Sequence, residues 1–284
     1  MRKSSRRTTL AVVLTLFVFA ALATVASADH SWGGYHWART SNPFTVKTGD
    51  NVTPVWDPYL DEAISDWNLS VSLDLLEVAG GTNPKNCRPT LGRIEVCNSK
   101  YGNTGWLGIA NIWITGGTHI TQGTTKLNDT YFNTAQYNTP AWRRLVMCQE
   151  IAHDFGLDHQ DEIFNNPNLG SCMDYTDDPD GGPGGASETD PSNEHPNLHD
   201  YEEIELIYAH LDSSTTIGQS VNGNNGQAPP AMNDLNLEGP GQWGRLVSSS
   251  RNGRVQTYEL DFGHGNKVIT HVFWASSEER DQDH

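Results

Sequence analysis

The sequence predicts an α+β fold in which amphipathic helices pack on a β-sheet, followed by a small β-rich C-terminal extension. Three observations predict it. Apolar side chains over residues 60–67 recur at i, i+3, i+4 and i+7, as on the buried face of a helix. Apolar and polar residues alternate over 71–75, as in a half-buried strand. Beyond Asp212 the composition changes to Ser, Thr, Gly, Asn and Pro, as in a linker, to about Pro240.

The first half of the chain is predicted to contain one helix and several strands. Residues 29–55 lead into a first strand. The helix follows, with Asp57 as its N-cap and Pro58 at its first position. Further strands are predicted at 71–79, 93–97, 106–114 and 119–127, with Gly pairs at 80–81 and 116–117 ending or separating them.

The second half is predicted to contain two helices, a loop and a hairpin. Thr139 and Pro140 repeat the cap-then-proline pattern and begin the second helix. Residues 176–197 are too rich in Gly, Pro and Asp for regular structure, and a helix runs from about 198 to 211. Two strands, 254–262 and 267–274, form a hairpin that either packs on the main domain or forms an accessory unit.

The stretch from Val146 to Asp161 carries the chemistry. If it is helical up to Gly156, Gln149 and His153 project from one face, with Glu150 beside them. Gly156 can adopt a left-handed turn, so that His159 swings back towards them. Three ligands with an adjacent carboxylate are the components of a catalytic zinc site.

This stretch resembles the zinc-binding motif of the metzincin metallopeptidases, H-E-x-x-H-x-x-G-x-x-H, with Gln149 in place of the first histidine. Residues 171–175, S-C-M-D-Y, resemble the metzincin Met-turn, and the tyrosine matches its astacin and serralysin versions. The resemblance covers residues 37–212. It implies a zincin catalytic domain over 29–212, with a mixed twisted sheet, a metal helix, a Met-turn and a C-terminal helix. It also implies an antiparallel cleft-edge strand, for which 108–112 is the candidate, where a peptide substrate would pair.

The resemblance also implies the role of each site residue. Gln149, His153 and His159 would bind Zn²⁺, and Glu150 would act as general base in the hydrolysis of a peptide bond. Tyr175 would donate a hydrogen bond to the oxyanion, and Met173 would support the site from below. A carboxamide oxygen is a weaker donor than imidazole, so zinc affinity should fall. Candidate partners of the ligating histidines are Asp154, Asp158 and Asp161.

Four cysteines in an exported chain allow three disulfide pairings. We expect Cys87 to pair with Cys97 across a short loop, and Cys148 on the metal helix to pair with Cys172 in the Met-turn.

The N-terminus predicts secretion to the extracellular medium. Residues 1–28 have a basic start, an apolar run and an A-S-A cleavage signal, as in a signal peptide. They contain four of the 18 Lys and Arg and none of the 35 Asp and Glu, so their removal changes the formal net charge from −17 to −21. Such a surface repels nucleic acid and anionic membranes, so neither is an expected partner.

Two alternatives accompany this interpretation. The first is a catalytically inactive protein of the same fold that binds a peptide or a metal. The second concerns further metals: Asp177, Asp178 and Asp180 are candidate calcium ligands, and His119 is either a strand surface residue or part of a second metal site. No role at the metal is predicted for the remaining late histidines, which are His195, His199, His210, His264 and His271.

Overall fold

A computed structural model describes residues 30–183, 186–187, 189–218, 230–232, 235 and 237–276. The predicted signal peptide lies outside these residues. The described residues contain four α-helices, α1 (Asp57–Trp67), α2 (Asp129–Phe132), α3 (Pro140–His153) and α4 (Leu198–Ile207). The strands are β1 (His36–Trp37), β2 (Phe44–Asn51), β3 (Leu73–Ala79), β4 (Ile94–Ser99), β5 (Trp106–Thr115), β6 (His119–Asn128), β7 (Ala186–Ser187), β8 (Asp190–Pro191), β9 (Arg245–Ser249), β10 (Val255–Gly263) and β11 (Asn266–Trp274). Within these residues, no helix is long and apolar enough to cross a membrane.

The helices agree with the predicted patterns and differ at their ends. Helix α1 begins at Asp57 rather than after it, with Trp56 at the N-cap and no capping side chain, because Pro58 already presets the first turn. Thr139 caps α3 as predicted, accepting a hydrogen bond from the backbone N–H of Trp142. Helix α4 ends at Ile207, four residues before the predicted end, and Leu211 is exposed.

One mixed sheet organises the fold, with the strand order β3-β2-β4-β6-β5-β11-β10-β9. Strands β3, β2, β4 and β6 are parallel to one another, and β1 adds to β6 in parallel. From β6 onward every pairing is antiparallel. The chain is therefore an α+β protein, in which the predicted C-terminal hairpin continues the sheet of the main domain.

The prediction that residues 108–112 lie in a cleft-edge strand is wrong. They belong to β5, which is paired on one side with β6 and on the other with β11, and all ten residues of β5 are buried. A paired strand has no free backbone groups to hold a peptide. The physical reason is the C-terminal hairpin, whose strand β11 forms the ladder that a substrate would otherwise form.

The hairpin turns through Gly263, His264 and Gly265, all of which have positive φ. Its strands bury side chains on both faces of the sheet. Ile269 and Phe273 pack in the main core with α3, whereas Val268 and Val272 pack in a second core with Trp243. The hairpin is thus held by apolar burial on two sides, which makes it a structural part of the sheet.

Helix α3 packs on β5 at a position where only glycine fits. A Cβ atom on Gly108 would lie 2.6 Å from Val146 and 2.7 Å from the carboxylate of Glu150. Both predicted disulfides are present, Cys87–Cys97 and Cys148–Cys172, and the second ties α3 to the segment of the predicted Met-turn. The close contact with β5 and this disulfide together fix the position of α3.

Candidate metal centre

The site begins at the end of α3, where the chain reverses. Gly156 has φ of +100°, and a Cβ atom there would lie 2.0 Å from the backbone oxygen of Tyr35. No other residue type fits this turn. The turn lets the Nδ1 atom of His153 reach the backbone oxygen of Leu157 at 2.8 Å and brings His159 back beside His153, with ring centroids 4.7 Å apart. The sequence prediction of a glycine turn between the two histidines is thus realised in the structure.

A third imidazole completes the cluster, and it comes from β11. His153, His159 and His271 each place one ring nitrogen so that all three atoms lie within 4.8 Å of one another. The His271 ring centroid lies 3.9 Å from that of His153 and 4.8 Å from that of His159. The sequence analysis assigned no metal role to His271, and the structure places its imidazole in a group that could hold a metal ion.

Strand register explains how His271 arrives there. It pairs with Ala110 of β5, and it lies two residues from Ile269 and from Phe273, which face α3. Because side chains alternate along a strand, His271 faces α3 as well. The sequence does show that His271 alternates with the apolar residues Ile269 and Phe273, so that all three share one face of a strand. Only the pairing with β5 shows that this face lies against α3.

Each imidazole uses one nitrogen for orientation and keeps the other for the cluster. The Nδ1 atom of His153 is bonded to Leu157, that of His159 lies 3.0 Å from Asp158 Oδ1, and that of His271 lies 3.0 Å from Glu150 Oε2. The three Nε2 atoms are buried and have no hydrogen-bond partner among the described residues. Orphaned buried nitrogens are costly, and ligating histidines have this arrangement of partners, so the donor set fits Zn²⁺.

Burial favours the neutral, metal-binding form of the His153 and His159 imidazoles. Burial lowers the pKa of His153 well below its usual value, and the neighbouring His271 and His159 lower it further. Burial likewise lowers the pKa of His159, again with His271 contributing. Burial raises the pKa of Glu150, against the opposing effects of His271 and the Ala110 backbone N–H.

Gln149 lies on α3 one helical turn before His153, and its side chain is fully buried. Its Nε2 donates to the backbone oxygen of Cys172 at 2.8 Å. Its Oε1 is buried without a partner in the described part of the chain. That Gln149 ligates zinc stays a prediction.

The predicted Met-turn residues lie close to the site. The hydroxyl of Tyr175 is 3.0 Å from His159 Nδ1, so it contacts a candidate ligand directly. Met173 is fully buried, and its backbone oxygen accepts from Gln160 N at 2.6 Å. The roles predicted for Tyr175 and Met173 remain predictions.

Of the three aspartates proposed as histidine partners, one contacts a histidine of the cluster. The Asp158 Oδ1 atom accepts a hydrogen bond from the backbone N–H of His159 and lies 3.0 Å from the Nδ1 atom of the same histidine. Asp154 instead accepts from the Thr125 hydroxyl, and Asp161 accepts from Asn166. Asp158 is therefore the one of these three aspartates that contacts a candidate ligand of the motif.

The aspartates proposed for calcium do not form a cation site in the described residues. None of the three-residue groups found there with converging ligand atoms contains Asp177, Asp178 or Asp180. Asp177 is paired with Arg254, and the backbone N–H of Asp178 is bonded to Thr176. These observations do not support a calcium site at the three aspartates.

No protein-family model matches the chain, and no curated protein matches its sequence. It is similar to the solved structure of myroilysin at a TM-score of 0.35 and 11% identity, over 63% of this chain and 98% of that one. It is also similar to high choriolytic enzyme 1, a hatching-enzyme zinc protease from the medaka fish Oryzias latipes. That TM-score is 0.32 at 13% identity, over 61% of this chain and 94% of that one. Similarity this low carries no information about what this chain acts on.

Proposed function

We propose that this protein is a secreted zinc-dependent peptidase whose metal is held by His153, His159 and His271. The observation that carries the proposal is the convergence of three orphaned Nε2 atoms beside the buried carboxylate of Glu150. Three neutral imidazoles with a neighbouring carboxylate are the protein components of a hydrolytic zinc site. Two disulfides and the predicted signal peptide support secretion.

When bound, zinc would supply a Lewis acid that polarises a scissile carbonyl and lowers the pKa of water. Glu150 takes the proton from the attacking water and returns it to the leaving amine. Burial raises the pKa of Glu150, and a raised pKa makes the carboxylate a stronger base towards the attacking water. Tyr175, in contact with His159, donates a hydrogen bond to the carbonyl oxygen as charge develops there.

In this proposal Gln149 is not a necessary ligand. His271 supplies the third imidazole that the motif lacks, and the Gln149 amide instead fixes the Cys172 carbonyl. Zinc affinity would then equal that of an all-histidine site rather than fall below it.

The test is cleavage of a denatured protein mixture by the secreted chain, read by peptide mass. Cleavage should stop with a chelator and return with added zinc. Glu150→Gln should abolish it while zinc is still bound, because the substitution removes the base and keeps an oxygen that can bond His271. Glu202→Gln, at an exposed position of α4, is the matched control and should cleave normally.

A second function is favoured by one observation, the closure of the site. His153, His159, His271 and Glu150 are 0%, 7%, 1% and 0% exposed, and β11 covers the strand where a peptide would pair. A catalytically inactive zinc-binding protein would have this enclosure. It predicts stoichiometric zinc with no cleavage under any condition, and a Glu150→Gln variant that differs from the parent only in zinc affinity.

A further inference from the structure

A second cluster of histidines lies outside the buried centre and shares no residue with it. It joins three separate parts of the chain: the ligand atoms of His36 in β1, His119 at the start of β6 and Asp212 after α4 converge, and His210 lies beside His36 and Asp212. The Asp212 Oδ1 atom lies 3.2 Å from His119 Nε2, 3.5 Å from His36 Nε2 and 3.8 Å from His210 Nε2. The Nε2 atoms of His36 and His210 are 3.1 Å apart.

These distances match a four-coordinate zinc site. Ligand atoms at about 2.05 Å from a tetrahedral Zn²⁺ are about 3.3 Å from one another. Four of the six separations among these atoms run from 3.1 to 3.8 Å around that value, and the ligand atoms of His36, His119 and Asp212 all lie within 4.8 Å of one another. A set of three imidazole nitrogens and one carboxylate oxygen favours zinc or a similar transition metal, whereas calcium and magnesium prefer oxygen alone.

The surrounding contacts orient the ligands. His36 Nδ1 lies 2.9 Å from the backbone oxygen of Gly34. A hydrogen bond there places the proton on Nδ1 and leaves Nε2 free to face the cluster. Asp212 receives Arg39 on its other oxygen, Oδ2, at 3.0 Å from the guanidinium and 3.1 Å from the backbone N–H. Such second contacts accompany metal ligands in general.

Hydrogen bonds alone account for only part of the arrangement. A neutral imidazole has one N–H, so the proton shared between His36 and His210 satisfies that pair, and His119 can donate to Asp212. No proton is then left for the contacts that His36 Nε2 and His210 Nε2 make with Asp212 Oδ1. A cation at the centre satisfies all four atoms together.

We infer that His36, His119, His210 and Asp212 form a second, structural zinc site that fastens β1 and β6 to the segment after α4. The side chains of His36 and Asp212 are 6% and 10% exposed, whereas those of His119 and His210 are 33% and 52% exposed. Zinc can therefore enter from the solvent side. Four protein ligands leave no open position, so the site holds structure and performs no hydrolysis.

Zinc content by mass spectrometry tests this on the full secreted chain after equilibration with zinc and removal of the excess. The parent should hold two zinc ions per chain. His210→Ala and His119→Ala should each hold one, because the remaining ligands bind far more weakly. His195→Ala is the matched control: His195 is 46% exposed, pairs with Asp66 and lies in neither cluster, so this variant should hold two.

Cobalt titration of the unmodified parent gives a reading that does not depend on any variant folding. Two equivalents should bind to the parent, and His210→Ala should lose one of them together with its contribution to the visible absorption. A parent with a single zinc, lost in His271→Ala and kept in His210→Ala, would overturn this inference and leave the buried centre intact. The reverse pattern would uphold this inference and overturn the proposed function.

Discussion

The two halves of the buried centre are built by different means. His153 and His159 are brought together by local structure, a helix end and one glycine turn. His271 is separated from Glu150 by 121 positions and arrives through a strand register. A short-range element tolerates damage elsewhere in the chain, whereas a register depends on every residue that holds the strand. The two contributions should therefore respond differently to perturbation.

The largest effect is expected from deleting the C-terminal strands by ending the chain after Gly244. Val268, Ile269, Val272 and Phe273 are almost completely buried, and each contributes about 1.5–3 kcal/mol of burial. That sum approaches the whole stability of a typical domain, so the truncated chain should be unfolded or greatly destabilised. Circular dichroism during thermal unfolding measures this. A truncated chain with native stability would show that the hairpin is a dispensable appendage.

Alanine substitutions of the candidate ligands test the two halves of the buried centre separately. His271→Ala should lose the zinc of the buried centre, as His153→Ala does, whereas Gln149→Ala should keep it. The reason is that His271 completes a set of three converging imidazoles, so the site does not need the carboxamide oxygen of Gln149. Zinc competition with a chromogenic chelator gives the affinities. If Gln149→Ala releases zinc and His271→Ala does not, the ligand set predicted from the motif is right and ours is wrong.

A smaller effect is expected from Asp158→Asn, which weakens the partner of His159 without removing a ligand. Loss of an orienting carboxylate typically lowers metal affinity 10–100-fold. The same competition assay measures it. Glu162→Gln is the control, since Glu162 is a nearby carboxylate with no hydrogen bond to the cluster histidines among the described contacts. Equal affinities for the two variants would mean that Asp158 does not orient His159.

The smallest effect concerns Lys126 of β6, which is buried where the segment before the hairpin covers the sheet. Burial lowers its pKa to about 8 from 10.5. Between these values the unfolded chain binds more protons, so stability rises as pH rises from about 8 to 10.5. Lys126→Met should therefore stabilise the protein by about 1–3 kcal/mol at pH 7, and the gain should shrink by pH 10.5.

Chemical denaturation at the two pH values measures this difference. The unaltered chain should become more stable between pH 8 and 10.5 relative to Lys126→Met. A pH-independent gap between the two chains would show that Lys126 is solvated, and hence that the segment around Leu237 does not cover this face of the sheet.

Much of the fold follows from local patterns. The apolar stripe of α1, the cap of α3 and the strands β5 and β6 appear in the structure close to their predicted bounds. So does the hairpin at Gly263–Asn266. Each of these depends on residues within a few positions, where the sequence pattern and the backbone geometry coincide.

The sequence by itself determined the motif half of the centre. Helical spacing and a glycine turn are short-range properties, so His153, Glu150 and His159 come together once this segment forms its helix and turn. Only the tertiary structure decided that β5 is an interior strand and that His271 joins His153 and His159. It also decided that His36, His119, His210 and Asp212 lie together. Pairing between distant strands is set by the burial of whole faces of a sheet, and no local spacing records which strand will be the neighbour.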